Sequence, residues 1–302
     1  MNNNIMLTFF LAAFLAGSQA RGMTPEEIIQ KVQEKYKSLS SYSATGKTVS
    51  IIDASGVDAS RLPGTPDGIK DSQVFKEAMN KPQTLTHTFT VKLARPSLYR
   101  IDWEQKVHAA YSNKGAVWSD GEGNFLLMGE NSYSKLNSQE LALASATGIS
   151  GGSAHTIPSI FFDGQSNLFK AMREFSQQKD EKIESDDCYV LAGNMAGQKM
   201  IFWISKESLL IRQRQHVLGG PAPQRGMSDE AIKESLKALN KEATPAAIAE
   251  MKKTMQQAML MTSKMKGSMT ETHQNIVINQ PTVKQSFRYP VPAGLKLSSS
   301  PF

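Results

Sequence analysis

From Thr88 onward the side chains alternate in character with a period of two, and no other feature limits the fold as much. Phe89, Val91 and Leu93 alternate with Thr88, Thr90 and Lys92. After a break at Arg95-Pro96-Ser97, Tyr99, Ile101 and Trp103 alternate with Arg100 and Asp102. Successive side chains of a strand point to opposite faces, so these are strands with one buried and one solvated face. Two shorter strands are expected over 115–119 and 124–128, joined by Asp120-Gly121, whose glycine accepts the positive φ of a hairpin turn. Ser132 to Leu136 reads as another strand.

Helices are few and clustered. Thr24-Pro25-Glu26-Glu27 is a helix start, and Ile28, Ile29, Val32, Tyr36 and Leu39 then follow at helical spacing. A strand is expected over 42–52, then a Gly/Pro/Asp-punctuated excursion over 53–82 with a short helix near 74–79. Helical character returns over 139–146 and 167–175, on either side of a Gly/Ser loop at 148–153 and a bulky apolar run at 158–162. Strands resume over 188–191, 199–205 and 209–218. Ser228-Asp229-Glu230 and Thr244-Pro245 open two further helices, the second running to about Lys266, and strands over 272–279 and 283–289 close the chain. Strands joined by short turns, with helices segregated from them, predict an α+β fold built on an antiparallel sheet, with a helical hairpin inserted at 219–270.

Residues 1–20 are set apart. Ile5 to Gly17 is an uncharged apolar run, shorter than the roughly 20 residues a spanning helix needs, and Ser18-Gln19-Ala20 supplies small residues where a signal peptidase reads. The segment is read as a cleaved signal peptide, although no Lys or Arg precedes the apolar run. Residues 21–302 are then one exported domain. All 34 Lys+Arg and 28 Asp+Glu lie beyond residue 20, and the net charge of +6 is spread with mixed signs. That describes a solvated surface, or weak attraction to an anionic membrane surface, and no tract resembles a nucleic-acid arm. With Cys188 as the single cysteine no intramolecular disulfide can form, so the core alone must hold the fold.

Several segments are familiar in combination: Tyr36-Lys37-Ser38-Leu39-Ser40-Ser41-Tyr42 after an amphipathic helix, the run Phe89 to Arg100, Val117-Trp118-Ser119-Asp120-Gly121, Phe202-Trp203-Ile204-Ser205-Lys206-Glu207, and the closing Phe287 to Gly294. In this order they resemble the LolA/LolB-like superfamily of periplasmic lipoprotein and lipid carriers, within it a branch of predicted exported proteins. The resemblance spans most of residues 24–297, apart from 53–84 and 219–270. It implies a curved antiparallel half-barrel covered on its concave side by helices, with an apolar cavity for acyl chains between them. It implies no catalytic residue and no cofactor. The matching cavity positions are Phe89, Val91, Leu93, Tyr99, Ile101, Trp103 and Trp118.

Other patterns have competing readings. Met251, Met255 and Met259 are spaced four apart, as are Met261, Met265 and Met269. They serve as a stripe packed on the sheet, as an adaptable lid over an apolar ligand, or as thioether ligands for Cu(I). Gly148-Ile149-Ser150-Gly151-Gly152 matches the nucleophile-elbow pattern, with Asp163 and then His216 or His273 in hydrolase order, yet no buried strand precedes it. Asp120 to Asn124 opens like a calcium loop but has Phe125 where that loop needs Gly. The expected function is non-enzymatic binding of a lipid, acyl chain or acylated protein in the periplasm, with Met251, Met255 and Met259 added to the cavity. The alternatives are an envelope sensor of the same fold that engages a membrane-bound protein, and a Cu(I)-binding protein.

Overall fold

The structure is a computed structural model and describes residues 22–57, 73, 77, 80–108, 111–129, 132–164, 167–195, 197–219, 228–238 and 241–298. The signal segment and most of the helix expected near 74–79 lie outside these residues. In chain order the elements are α1 (Pro25–Ser38), β1 (Ser41–Asp53), β2 (Gln83–Ala94), β3 (Leu98–His108), β4 (Tyr111–Ser119), β5 (Asn124–Met128), β6 (Ser132–Leu136), α2 (Gln139–Thr147), α3 (Thr156–Phe161) and α4 (Leu168–Ala171). Then come β7 (Arg173–Gln177), β8 (Glu181–Ile183), β9 (Asp186–Met195), β10 (Gln198–Ser205), β11 (Ile211–Leu218), α5 (Asp229–Ala238), α6 (Pro245–Lys264), β12 (Lys266–Ile278), a 3₁₀ turn (Lys284–Phe287) and β13 (Lys296–Ser298).

Among the described residues all the strands form one sheet, in the order β13-β6-β5-β4-β3-β2-β1-β12-β11-β10-β9-β7, with β8 also on β9. Every pair is antiparallel except β13 with β6. The fold is α+β: an open curved sheet whose concave face is covered by α1 to α4. The main core lies between that face and those helices. It joins Ile28, Val32 and Tyr36 of α1, Ala142 of α2 and Ile157 and Phe161 of α3 to inward residues of the central strands.

The covering helices are short, and local chemistry explains where α1, α2 and α4 begin. Thr24 and Glu27 form a reciprocal capping box at the start of α1, with Pro25 in the first turn. Ser138 caps α2 through Leu141 N–H. Asn167 caps α4 by accepting from Phe169 and Lys170 N–H. α4 ends at Ala171, and the chain turns into the edge strand β7 rather than continuing the helix expected to 175. Likewise, 283–289 forms a 3₁₀ turn instead of a strand, because Phe287 buries itself against Ala94 and Leu98.

The convex face carries two smaller cores. Cys188, Val190, Ile201 and Trp203 pack together beneath Ile183 of β8. Trp118 and Leu127 are covered by Tyr289, Val291 and Leu295 of the C-terminal segment. The hairpin of α5 and α6 has its own cluster of Ile232, Leu236 and Ile248, distinct from the main core.

Candidate functional site

Register turns the concave face into ordered rows. Tyr42, Leu93 and Tyr99 are aligned across β1, β2 and β3, followed by Ala44, Val91, Ile101 and Val117 one row on. The next row is His273, Gly46, Phe89, Trp103 and Gly115. A Cβ on Gly46 would lie 2.4 Å from Phe89 Cζ, and one on Gly115 would lie 2.2 Å from Trp103 Cζ2. The two glycines therefore let aromatic rings from neighbouring strands lie flat on the sheet, and Phe89 reaches His273 edge-on at 5.4 Å between centroids. Six of the strand residues expected to face a cavity, Phe89, Val91, Leu93, Tyr99, Ile101 and Trp103, sit side by side here. They are at most 4% exposed, with the side chains of the covering helices packed into the same core.

Trp118 is not among them. Its cross-strand partner is Arg100, so it shares the convex face with Arg100 and Asp102, while its neighbours Val117 and Ser119 face inward. There it stacks on Phe125 and Tyr289 at 5.3 Å each. Met251 and Met255 pack on the α5–α6 cluster, and Met259 is half-buried further along α6. The second methionine set does not share a helix face, since α6 ends at Lys264 and Met269 lies on β12.

The cover is fastened at one end by Arg95, which follows β2. Its Nε donates to Leu39 O at 3.0 Å, and its Nη2 donates to Tyr36 O at 3.2 Å and Phe161 O at 2.6 Å. Its guanidinium also lies 4.7 Å from the centre of the Phe161 ring. One side chain thus ties the C-terminal ends of α1 and α3, where helix carbonyls lack intrahelical donors, to the sheet. Tyr36 adds a second tie, its hydroxyl accepting from Ile211 N–H at 3.1 Å. Between α2 and α3 lies a cleft of about 160 Å³, lined by Leu143, Ala144, Ala154, Pro158 and Phe162 with His155 and Glu140 at its rim.

A polar row crosses the concave face beyond the apolar ones, and sequence reasoning missed it. His87, Thr48, Glu271 and Arg214 are aligned across β2, β1, β12 and β11, all buried. Arg214 Nη2 lies 3.1 Å from Glu271 Oε2, which also accepts from the Thr156 hydroxyl of α3 at 2.6 Å. Glu271 Oε1 stands 3.0 Å from His273 Nε2, out of hydrogen-bond alignment. Burial raises the Glu271 pKa, but Arg214, His273 and Thr156 outweigh it and hold the carboxyl down at about 2. Burial lowers the His87 pKa. The signal available beforehand was parity: Thr48, Ser50 and His87 occupy inward positions where an apolar residue is expected.

Ser150 of the elbow-like pattern sits in the turn after α2. Its hydroxyl donates to Thr147 O at 3.2 Å and accepts Ala154 N–H at 3.1 Å, so its hydrogen bonds go to backbone and not to a histidine. Asp163 pairs with Lys170, and His216 contacts Gln198. Gly121 adopts φ 91° in the turn between β4 and β5. Among the described residues no helix is long and apolar enough to cross a membrane.

No protein-family model matches the chain. No curated protein matches it either. Among solved structures it is similar to the lipoprotein LppX of Mycobacterium tuberculosis, with 10% identity, TM-score 0.36, and coverage of 85% of this chain and 95% of that one. It is also similar to a putative outer membrane lipoprotein-sorting protein domain from Vibrio parahaemolyticus, with 10% identity, TM-score 0.32, and coverage of 87% and 95%.

Proposed function

We propose that this protein binds the acyl chain of a lipid or acylated protein between its sheet and its helical cover, without catalysis, in the bacterial periplasm after removal of residues 1–20. The observation that carries this reading is the construction of the cover. An apolar sheet face is closed by four separate short helices, not by a second sheet, and α1 and α3 are tied down by one arginine. Releasing those ties exposes the rows of Val91, Ile101, Phe89 and Trp103 without breaking a strand pair. An acyl chain laid on them gains about 0.8 kcal/mol per buried methylene, so affinity needs no specific polar contact. The cleft between α2 and α3 supplies the entry. The LolA-like resemblance of the sequence supports the same ligand class.

The test is organic extraction and mass spectrometry of the protein purified without detergent from a membrane-containing host. A stoichiometric lipid or fatty acid is expected. A ligand-free protein that also takes up no fluorescent fatty acid would overturn the reading.

A further inference from the structure

Buried polar atoms without a hydrogen-bond partner gather at the polar row, although Tyr42 Oη and Trp103 Nε1 of the apolar rows are unpartnered too. Thr48 Oγ1, His87 Nδ1 and Arg214 Nε of the row and Nδ1 of the adjoining His273 are buried and have no hydrogen-bond partner among the described residues, while Glu271 Oε1 faces His273 Nε2 at 3.0 Å, out of hydrogen-bond alignment. Buried polar atoms are nearly always partnered, because an unpartnered one has lost its water without replacement. Here they lie on one stretch of the sheet, in the row of His87, Thr48, Glu271 and Arg214 and at His273 in the adjoining row of Phe89 and Trp103. The concave face is therefore amphipathic end to end, apolar from Tyr42 to Gly46 along β1 and polar at Thr48 and Ser50.

We infer that the row formed by His87, Thr48, Glu271 and Arg214 is the site for a hydroxyl-bearing lipid head, of glycerol or sugar type, whose chain lies on the neighbouring apolar rows. This rests on the acyl-binding reading. The chemistry of the row selects the head. Arg214 is already neutralised by Glu271, so a bare anion meets no uncompensated charge. Glu271 Oε1 can only accept, and Arg214 Nε can only donate. A hydroxyl does both, and neighbouring hydroxyls on one head satisfy both at once. In the closed form the Thr156 hydroxyl stands in for such a group, donating to Glu271 Oε2 at 2.6 Å.

The turn before α3 seals the row in that form. Gly151 and Gly152 have φ of 63° and 91°, and added Cβ atoms would lie 2.9 Å from His87 Nδ1 and 2.6 Å from Arg214 Nη2. Only glycine fits that close. A ligand head and the turn therefore compete for one surface, so occupation of the row lifts the N-terminal end of α3, opposite the end held by Arg95.

The experiment is displacement of a fluorescent acyl probe from the purified protein by 1-monooleoylglycerol, methyl oleate and oleate, which share one chain. Monooleoylglycerol is expected to displace the probe at about tenfold lower concentration than either of the others, the effect of one or two added hydrogen bonds. Thr48→Val removes a hydroxyl that is unpartnered in the closed form, so the fold should tolerate it. It should weaken monooleoylglycerol about tenfold and leave methyl oleate unchanged. His87→Phe is the second variant and should act the same way. Equal displacement by all three lipids, a preference for oleate, or equal weakening of glyceride and ester by both variants overturns the head site while acyl binding stands. Failure of every lipid to displace the probe, or of the probe to bind, overturns the acyl-binding reading and this inference with it.

Discussion

Replacing Arg95 with methionine should loosen the helical cover while the sheet stays closed. The arginine makes three charge-assisted hydrogen bonds to backbone carbonyls of Tyr36, Leu39 and Phe161. Each such bond contributes about 1.5–3 kcal/mol, though bonds from one side chain do not add fully. Tyr36 O keeps a second donor, the Leu39 N–H at 3.3 Å, so its loss is partial. Methionine retains much of the aliphatic stem, so packing changes little. A net loss of about 3 kcal/mol is therefore expected, close to a hundredfold in the opening equilibrium of the cover. Native-state hydrogen exchange reads this directly. Amides of α1 and α3 should exchange about a hundredfold faster in the variant, while those of β1, β2 and β12 keep their protection. If α1 and α3 exchange at wild-type rates, the arginine is not the fastening and the cover is held by its apolar contacts alone. If the β1, β2 and β12 amides accelerate equally, cover and sheet open as one unit, and a hinged cover is refuted.

Gly46→Ala should lower the urea midpoint by an amount equivalent to about 2–3 kcal/mol, because the new methyl meets Thr272 O at 2.2 Å as well as the Phe89 ring; an unchanged midpoint would mean that both the ring and the β12 backbone shift aside without cost. Stability should also rise with pH between about 4 and 6.5. Burial, with Arg214 adding to it, lowers the His216 pKa from 6.5 to about 4. The unfolded chain therefore takes up the proton first as pH falls through this window, and the stability tied to neutral His216 is lost by about pH 4. Urea midpoints across this range should show the slope, and His216→Gln should flatten it; an identical slope in the variant would place its origin elsewhere. Glu271, lowered from 4.5 to about 2, adds a second loss only below pH 4.5.

Trp118 and the methionines show where local pattern stops being informative. The alternation around Trp118 is readable, but which parity faces inward depends on register with β3. A one-residue difference moves a side chain to the opposite face, and the pairing of Trp118 with Arg100 puts it outside. The spacing of four recurs in Met261, Met265 and Met269, yet β12 begins at Lys266 because its pairing with β1 extends that far, to Asp53. Local helical periodicity yields there to a long-range ladder. The segment 173–177 behaves the same way, drawn from helix into strand by the open edge of β9.

The sequence by itself determined the α+β class, most strand positions, the capped start of α1 and six of the side chains that share the inner face. Those are properties of period-two alternation and of capping, which act over a few residues. Only the tertiary structure decided that His87, Thr48, Glu271 and Arg214 form one row and that Arg95 fastens two helices. The first set spans β1 and β12, strands from opposite ends of the chain made neighbours by their antiparallel pairing in mid-sheet. The second joins backbone carbonyls of residues 36, 39 and 161, atoms that every residue carries and that no sequence pattern marks.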